Sequence, residues 1–201
     1  MMTAMTAATT ATHVAMTLSE WGALDEDEPG EFVDGELREE EMASFVHEVV
    51  VAWLIRVLGN WTASRGAFVV GSDLKLGVSS HRGRKADLAV YFRRGKIQAR
   101  GVVTVPPDIA VEIVSPSPAG QRRDRVDKLL EYAAFGVRYY WLVSPEARLI
   151  EILELGADGR YIHALGMSEG KVAVIGCEDL TIDLDDLWRE VVRAEREETA
   201  P

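Results

Sequence analysis

The sequence predicts a mixed α/β domain of 201 residues, with a central sheet flanked by helices and additional β-hairpins. Three observations carry that prediction. Two stretches, about Met42 to Ala63 and Gly120 to Phe135, repeat apolar residues at helical spacing. Between and after them lie short apolar runs cut apart by Gly and Pro. One of these runs, Asp108 to Val114, is apolar on both faces except at Glu112, which marks a central strand buried on both sides.

The elements follow in chain order. The Ala- and Thr-rich opening has no periodic apolar face, so a disordered leader is expected over residues 1–16. Thr17 and Glu20 make a capping-box pattern that should open a short helix through Leu24. Asp25 to Gly30 reads as an acidic loop, and Glu31 to Leu37 as a tight hairpin around Asp34 and Gly35. In the long helix that follows, Val46, Val50, Trp53, Leu54, Val57, Leu58 and Trp61 form the apolar face, and Gly66 closes it. Three strand runs come next: Ala67 to Leu76, Ala86 to Phe92 and Asp108 to Val114. Pro116 and Pro118 then break the chain. The second helix buries Val126, Leu129, Leu130 and Ala133 and stops at Gly136. Arg138 to Val143 is a strand, Leu149 to Leu155 and Arg160 to Leu165 form a hairpin, and a last helix runs from Asp185 to about Glu195. The domain is expected to span residues 17–190, with a tail over 191–201. Trp141 and the Leu149 hairpin suit either the core or an interface.

The net charge is −11, which alone argues against a nucleic-acid partner. The charge is unevenly placed, however. Residues 20–48 hold twelve acids and one base, residues 49–148 hold sixteen bases and eight acids, and residues 149–201 hold five bases and thirteen acids. A local basic zone, seven bases between His81 and Arg100, matters more for phosphate binding than the average does. It also suits a solvated strand edge. The single cysteine, Cys177, excludes a disulfide framework and a cysteine-based zinc site. No glycine-rich nucleotide loop is present. The first base is Arg38, so no signal-peptide n-region exists, and the longest apolar run, Val49 to Ile55, is too short to span a bilayer. A cytoplasmic protein without membrane contact is expected.

Three residues raise a chemical question. Glu112 is a carboxylate on a strand buried on both sides, which is costly unless it is paired, protonated or bound to a cation. Asp87 opens the strand run that ends at Phe92 and follows Arg84 and Lys85. Either acid could instead be a strand-end salt-bridge partner. Two acids on neighbouring strands could also hold one hard cation such as Mg²⁺. Lys128, four residues after Asp124, reads in isolation as a surface lysine in a helical ion pair.

The order acid, acid, lysine on strand, strand and helix resembles the PD-(D/E)XK phosphodiesterase superfamily, the restriction-endonuclease-like fold. More narrowly, the chain is similar to a widespread bacterial family known as "putative restriction endonucleases". The resemblance covers about residues 17–188. It rests on the Asp34-Gly35-Glu36 hairpin, His47 early in a helix, Asp87, the Val111 to Ser117 strand end, the Arg122 to Tyr132 helix, and the Gly136 to Pro145 strand. The position before Asp87 is Ala86 rather than Pro, and Val114 stands where an E-x-K lysine would. In this family the following helix is understood to supply the lysine, which nominates Lys128. Asp108 follows Pro107 but lies about 13 Å from Glu112 along one strand, too far to share an ion.

The resemblance implies a restriction-endonuclease-like mixed sheet and Mg²⁺- or Mn²⁺-dependent hydrolysis of phosphodiesters, with DNA as the substrate. Asp87 and Glu112 would be the metal ligands, and Lys128 would position or deprotonate the attacking water and stabilise charge. His47 and Glu36 are further catalytic candidates, although His47 also suits a satisfied core histidine. Glu48 is a reserve acid, and Tyr132 a packing residue or phosphate contact. Arg82, Arg84, Lys85, Arg122, Arg123 and Arg125 are the expected nucleic-acid contacts. A homodimer fits an enzyme that cuts both strands. The alternative is a catalytically silent nucleic-acid- or protein-binding module on the same fold.

Overall fold

A computed structural model of the chain describes residues 15–25, 30–39, 41–92 and 97–198. Most of the expected leader, most of the acidic loop, and Arg93, Arg94 and Lys96 of the basic zone lie outside the described residues.

Helix α1 (Leu18–Ala23) begins at the expected capping box: Glu20 N–H donates to Thr17 Oγ1 and Thr17 N–H to Glu20. Its buried Trp21 covers Gly83, where a Cβ would collide with the indole. Strands β1 (Glu31–Val33) and β2 (Glu36–Arg38) form the expected hairpin. Asp34 and Gly35 both have positive φ, 53° and 85°, the geometry that a two-residue turn between twisted strands requires. Helix α2 (Phe45–Ala63) starts three residues later than the periodicity predicts, because Ser44 caps it by accepting from His47 N–H.

The run expected over Ala67 to Leu76 divides into β3 (Phe68–Val70) and β4 (Lys75–Ser79). Strand β5 (Arg82–Lys85) pairs with both β4 and β1. It escapes an apolar-pattern reading because Arg84 is buried between Glu31 and Glu131 and Arg82 also reaches Glu131. Strands β6 (Leu88–Tyr91) and β7 (Ile109–Ile113) follow. The second predicted helix has three parts: α3 (Pro118–Arg122), a π-helical turn over Arg123–Asp127, and α4 (Lys128–Phe135), which ends at left-handed Gly136. The chain finishes with β8 (Tyr139–Ser144), β9 (Leu149–Leu155), β10 (Tyr161–Met167), β11 (Lys171–Ala173), β12 (Thr181–Asp183) and α5 (Leu184–Glu198). The expected tail is corrected here. Val191 and Ala194 of α5 are buried, so the helix belongs to the domain well beyond residue 190.

The main sheet has the order β10-β9-β8-β7-β6-β3, with β7 and β8 parallel and the other pairs antiparallel. As expected, β7 is central and wholly buried. Ile109, Val111 and Ile113 pack on one side with Leu54 and Leu58 of α2 and Leu187 and Val191 of α5. Ala110 and Val114 pack on the other side with Tyr132 of α4 and Leu76 of β4. Trp141 and Ile152 are fully buried, so the β8 and β9 apolar residues are core rather than interface. A second sheet, β2-β1-β5-β4, stands beside the first. The chain passes from one sheet to the other between β5 and β6, at Ala86 and Asp87. Among the described residues no helix is long and apolar enough to cross a membrane.

Candidate active site

The passage between the two sheets brings four elements to one point. Period-2 alternation on β7 turns Glu112 away from the α2 side and toward α4. Asp87 stands just before β6, Glu31 begins β1, and Lys128 begins α4. Asp124 and Lys128, four residues apart, are both fully buried under the π-helical turn. The turn leaves the Asp124 carbonyl to accept from Tyr140 OH at 2.8 Å.

Lys128 is therefore not the surface lysine of an isolated reading; it is 1% exposed. Its Nζ lies 2.9 Å from Glu112 Oε2 and 3.0 Å from Glu31 Oε1, and donates to the Lys85 carbonyl at 2.9 Å. An ammonium has three protons, and these three acceptors use them all. Tyr132 OH donates to Glu112 Oε1 at 2.9 Å, so Tyr132 holds the acid from within the core. Asp87 Oδ2 accepts from Ile113 N–H at 2.6 Å, and Oδ1 lies 3.2 Å from His47 Nε2. The other ring nitrogen, His47 Nδ1, faces the exposed Glu48 at 3.3 Å.

The charges are strongly coupled. Burial pushes the Glu112 carboxyl well above its ordinary value; Lys128 opposes this, while Asp87, Asp124 and Glu31 add to it. Burial alone would lower Lys128, but Glu112 and Glu31 outweigh it and hold the ammonium above its usual range. Burial would raise Glu31, but Lys128 and Arg84 hold it below. Likewise burial would raise Asp87 and lower His47, yet their contact lowers the acid and raises the base.

Asp87, Glu112, Lys128 and His47 line one cavity of about 780 Å³, together with Lys85 and Arg123. Glu36 is elsewhere: it is exposed on β2 and pairs with Arg38 at 2.7 Å. The hairpin acid at the site is instead Glu31, five residues earlier and 1% exposed. Its sequence signal was weak, a single acid beginning a short apolar strand. The expected nucleic-acid contacts separate into two groups. Arg84 is buried between Glu31 and Glu131, Arg82 reaches Asp34 and Glu131, and Arg125 reaches Glu151 at 2.6 Å. These three brace the fold. Lys85 and Arg123 face the cavity, and Arg122 is exposed at the end of α3. Asp108 accepts from Phe92 N–H at 2.8 Å, away from the two acids.

Asp87 and Glu112 offer hard oxygen donors in one cavity, the donor chemistry that Mg²⁺ and Mn²⁺ take. Among the described residues no group of three or more His, Cys, Asp or Glu side chains could hold a metal ion, so such a cation would depend on water and substrate oxygens for its remaining ligands.

The mixed sheet thus carries Asp87 before β6, Glu112 on the neighbouring β7 and Lys128 on the helix that follows, in the order that the sequence resemblance leads one to expect. The chain belongs to the Uma2 family, described as "Putative restriction endonuclease", whose model matches residues 17–185. Its fold is also that of a crystal structure described as a putative nuclease belonging to DUF820 from Anabaena variabilis ATCC 29413. That match has a TM-score of 0.69 at 20% identity and covers 88% of this chain and 99% of the other. No curated protein matches the chain.

Proposed function

We propose that the protein is a divalent-cation-dependent endonuclease that hydrolyses phosphodiester bonds in DNA. The observation that carries this reading is the buried Lys128 ammonium, held against Glu112 in a cavity that also receives Asp87. Asp87 and Glu112 would hold Mg²⁺ or Mn²⁺, which supplies Lewis-acid polarisation and a nucleophile usable at neutral pH. Lys128 acts as a fixed positive charge. Glu112 and Glu31 keep it protonated, with no lone pair to take a proton, so its part is to steady the attacking water and the charge that grows on the phosphoryl oxygens. His47 positions Asp87 through Nε2, and Glu31 positions Lys128; both are positioning residues. Lys85, Arg122 and Arg123 are the cations that meet the DNA backbone. Because Arg82, Arg84 and Arg125 are already paired, the affinity is modest and salt-sensitive. Cleavage of both strands would use two copies of the site in a cytoplasmic homodimer.

One observation favours a second reading, a silent binding module on the same fold: both oxygens of Asp87 and both of Glu112 already have protein partners. A cleavage assay separates the two. Purified protein with Mg²⁺ or Mn²⁺ should nick supercoiled DNA, and Asp87→Ala, Glu112→Gln and Lys128→Ala should each abolish nicking. If neither DNA nor RNA is cleaved with either cation, the hydrolytic reading fails and the silent module stands.

A further inference from the structure

Glu41, in the loop before α2, is exposed, yet its carboxylate is firmly seated. Ser115 Oγ donates to Oε2 and Ser117 Oγ to Oε1, each at 2.6 Å, the length of a hydroxyl bond to an ionised acceptor. Both hydroxyls are fixed as donors toward that spot. Ser115 Oγ accepts from Ser117 N–H at 3.2 Å and lies 3.4 Å from Ser117 Oγ, which accepts from Gly120 N–H at 2.9 Å; an ionised carboxylate has no proton to give, so the hydroxyls donate in the two 2.6 Å contacts. The space is cut to fit. A Cβ at Gly120 would come within 2.6 Å of Ser115 Oγ and 3.2 Å of Glu41 Oε2. Arg123 lines the same cavity, with its Nε anchored to Asp124 at 2.9 Å. The two serine hydrogen bonds and then the Arg123 charge hold the Glu41 carboxyl below its ordinary range. Glu41, Ser115, Ser117 and Arg123 line the same cavity as Asp87 and Glu112.

We propose that Ser115, Ser117 and Arg123 form a subsite for a backbone phosphate of the substrate, and that Glu41 fills it in the free protein as a displaceable carboxylate plug. The inference rests on the phosphodiesterase reading of the adjacent site. Two converging hydroxyl donors and a guanidinium make an anion receptor whose two-point grip suits two oxygens of a phosphate as well as two of a carboxylate. Occupancy by Glu41 lowers the apparent affinity by the fraction of molecules in which the subsite is open. The plug thus confines binding to substrates that offer enough other contacts to expel it.

The test is binding in EDTA, where no cleavage competes, with inorganic phosphate and with a short labelled DNA duplex. Glu41→Ala should bind both about tenfold tighter or better than the unaltered protein, a gain of roughly 1.4 kcal/mol per tenfold. Adding Ser115→Ala and Ser117→Ala to Glu41→Ala should erase the gain. Glu39→Ala, the same charge change in the same loop, should not reproduce it. The proposal is overturned if Glu41→Ala binds no tighter, if the gain survives loss of both hydroxyls, or if Glu39→Ala gains equally. A Glu41→Ala protein that melts lower and binds more weakly also overturns it, because Glu41 would then be a loop clasp. The two readings fail separately. A serine-dependent gain in a protein that never cleaves keeps the subsite and removes the nuclease; cleavage without the gain does the reverse.

Discussion

Replacing Lys128 with Met keeps the side chain's length and removes its charge, so it isolates what the ammonium does. Lys128 and Glu112 are 1% and 2% exposed, and Glu31 is 1% exposed. Loss of the cation leaves two carboxylates in low dielectric, with a carbonyl that has lost its donor. Breaking a buried ion pair by removing one partner costs about 3–5 kcal/mol, a large share of the roughly 5–15 kcal/mol that holds a domain folded. The penalty should depend on pH, and its sign follows from Glu112. Burial already raises its folded pKa, and without Lys128 nothing comparable opposes that rise. A carboxyl whose folded pKa lies above its unfolded value contributes stability that is present below the unfolded pKa and lost as pH climbs through the folded one. Lys128→Met should therefore be least damaged near pH 5 and most damaged near pH 8. Urea unfolding of both proteins at the two pH values measures this, with midpoints read at constant m. A penalty below about 1 kcal/mol that is equal at both pH values would refute the buried-pair reasoning.

Three further outcomes follow from the same geometry. Glu31→Ala should destabilise the protein by about 3 kcal/mol or more, because Arg84 and Lys128 lose a buried partner, whereas Glu36→Ala on the exposed edge should stay within about 0.5 kcal/mol; thermal or urea unfolding would reverse the assignment if the order were opposite. The contact with Asp87 raises His47, so its stabilising share is full below the unfolded value of about 6.5 and fades as pH rises through the folded value. Against pH, the unfolding free energy of His47→Gln should lack that decline, and parallel curves for the two proteins would contradict the pairing. Ending the chain at Glu190 should cost about 2 kcal/mol or more, chiefly through buried Val191, and an unchanged melting curve would restore the tail reading.

Much of the architecture was legible because burial imposes period on sequence. The central strand at Ile109–Ile113, the capped α1, the Asp34-Gly35 turn and the apolar face of α2 all announce themselves through apolar spacing or turn chemistry. Strand β5 did not, since Arg82 and Arg84 pair with carboxylates from distant elements, and only tertiary contact shows that. The division of α3 and α4 by a π-helical turn was equally hidden, and its extra residue swings the helix face, so Val126 and Leu130 of the expected apolar stripe are exposed while Asp124, Lys128 and Tyr132 turn inward. At the site, Asp87, Glu112 and Lys128 were readable as an ordered constellation. Their buried partners were not: Glu31 and Glu36 differ little in sequence, and the inward choice is made by the hairpin's register against β5. The basic zone shows the same limit. Composition counted cations near the cavity without showing that Arg82, Arg84 and Arg125 are already neutralised by acids.

The proposal that Asp87 and Glu112 jointly hold a divalent cation beside Lys128 is tested most directly by Mn²⁺ in crystals of the protein. An anomalous peak contacted by both carboxylates is expected, and it should be lost in Glu112→Gln. Saturating Mn²⁺ that leaves no peak between Asp87 and Glu112, with the Lys128–Glu112 and His47–Asp87 pairs still closed, would contradict it.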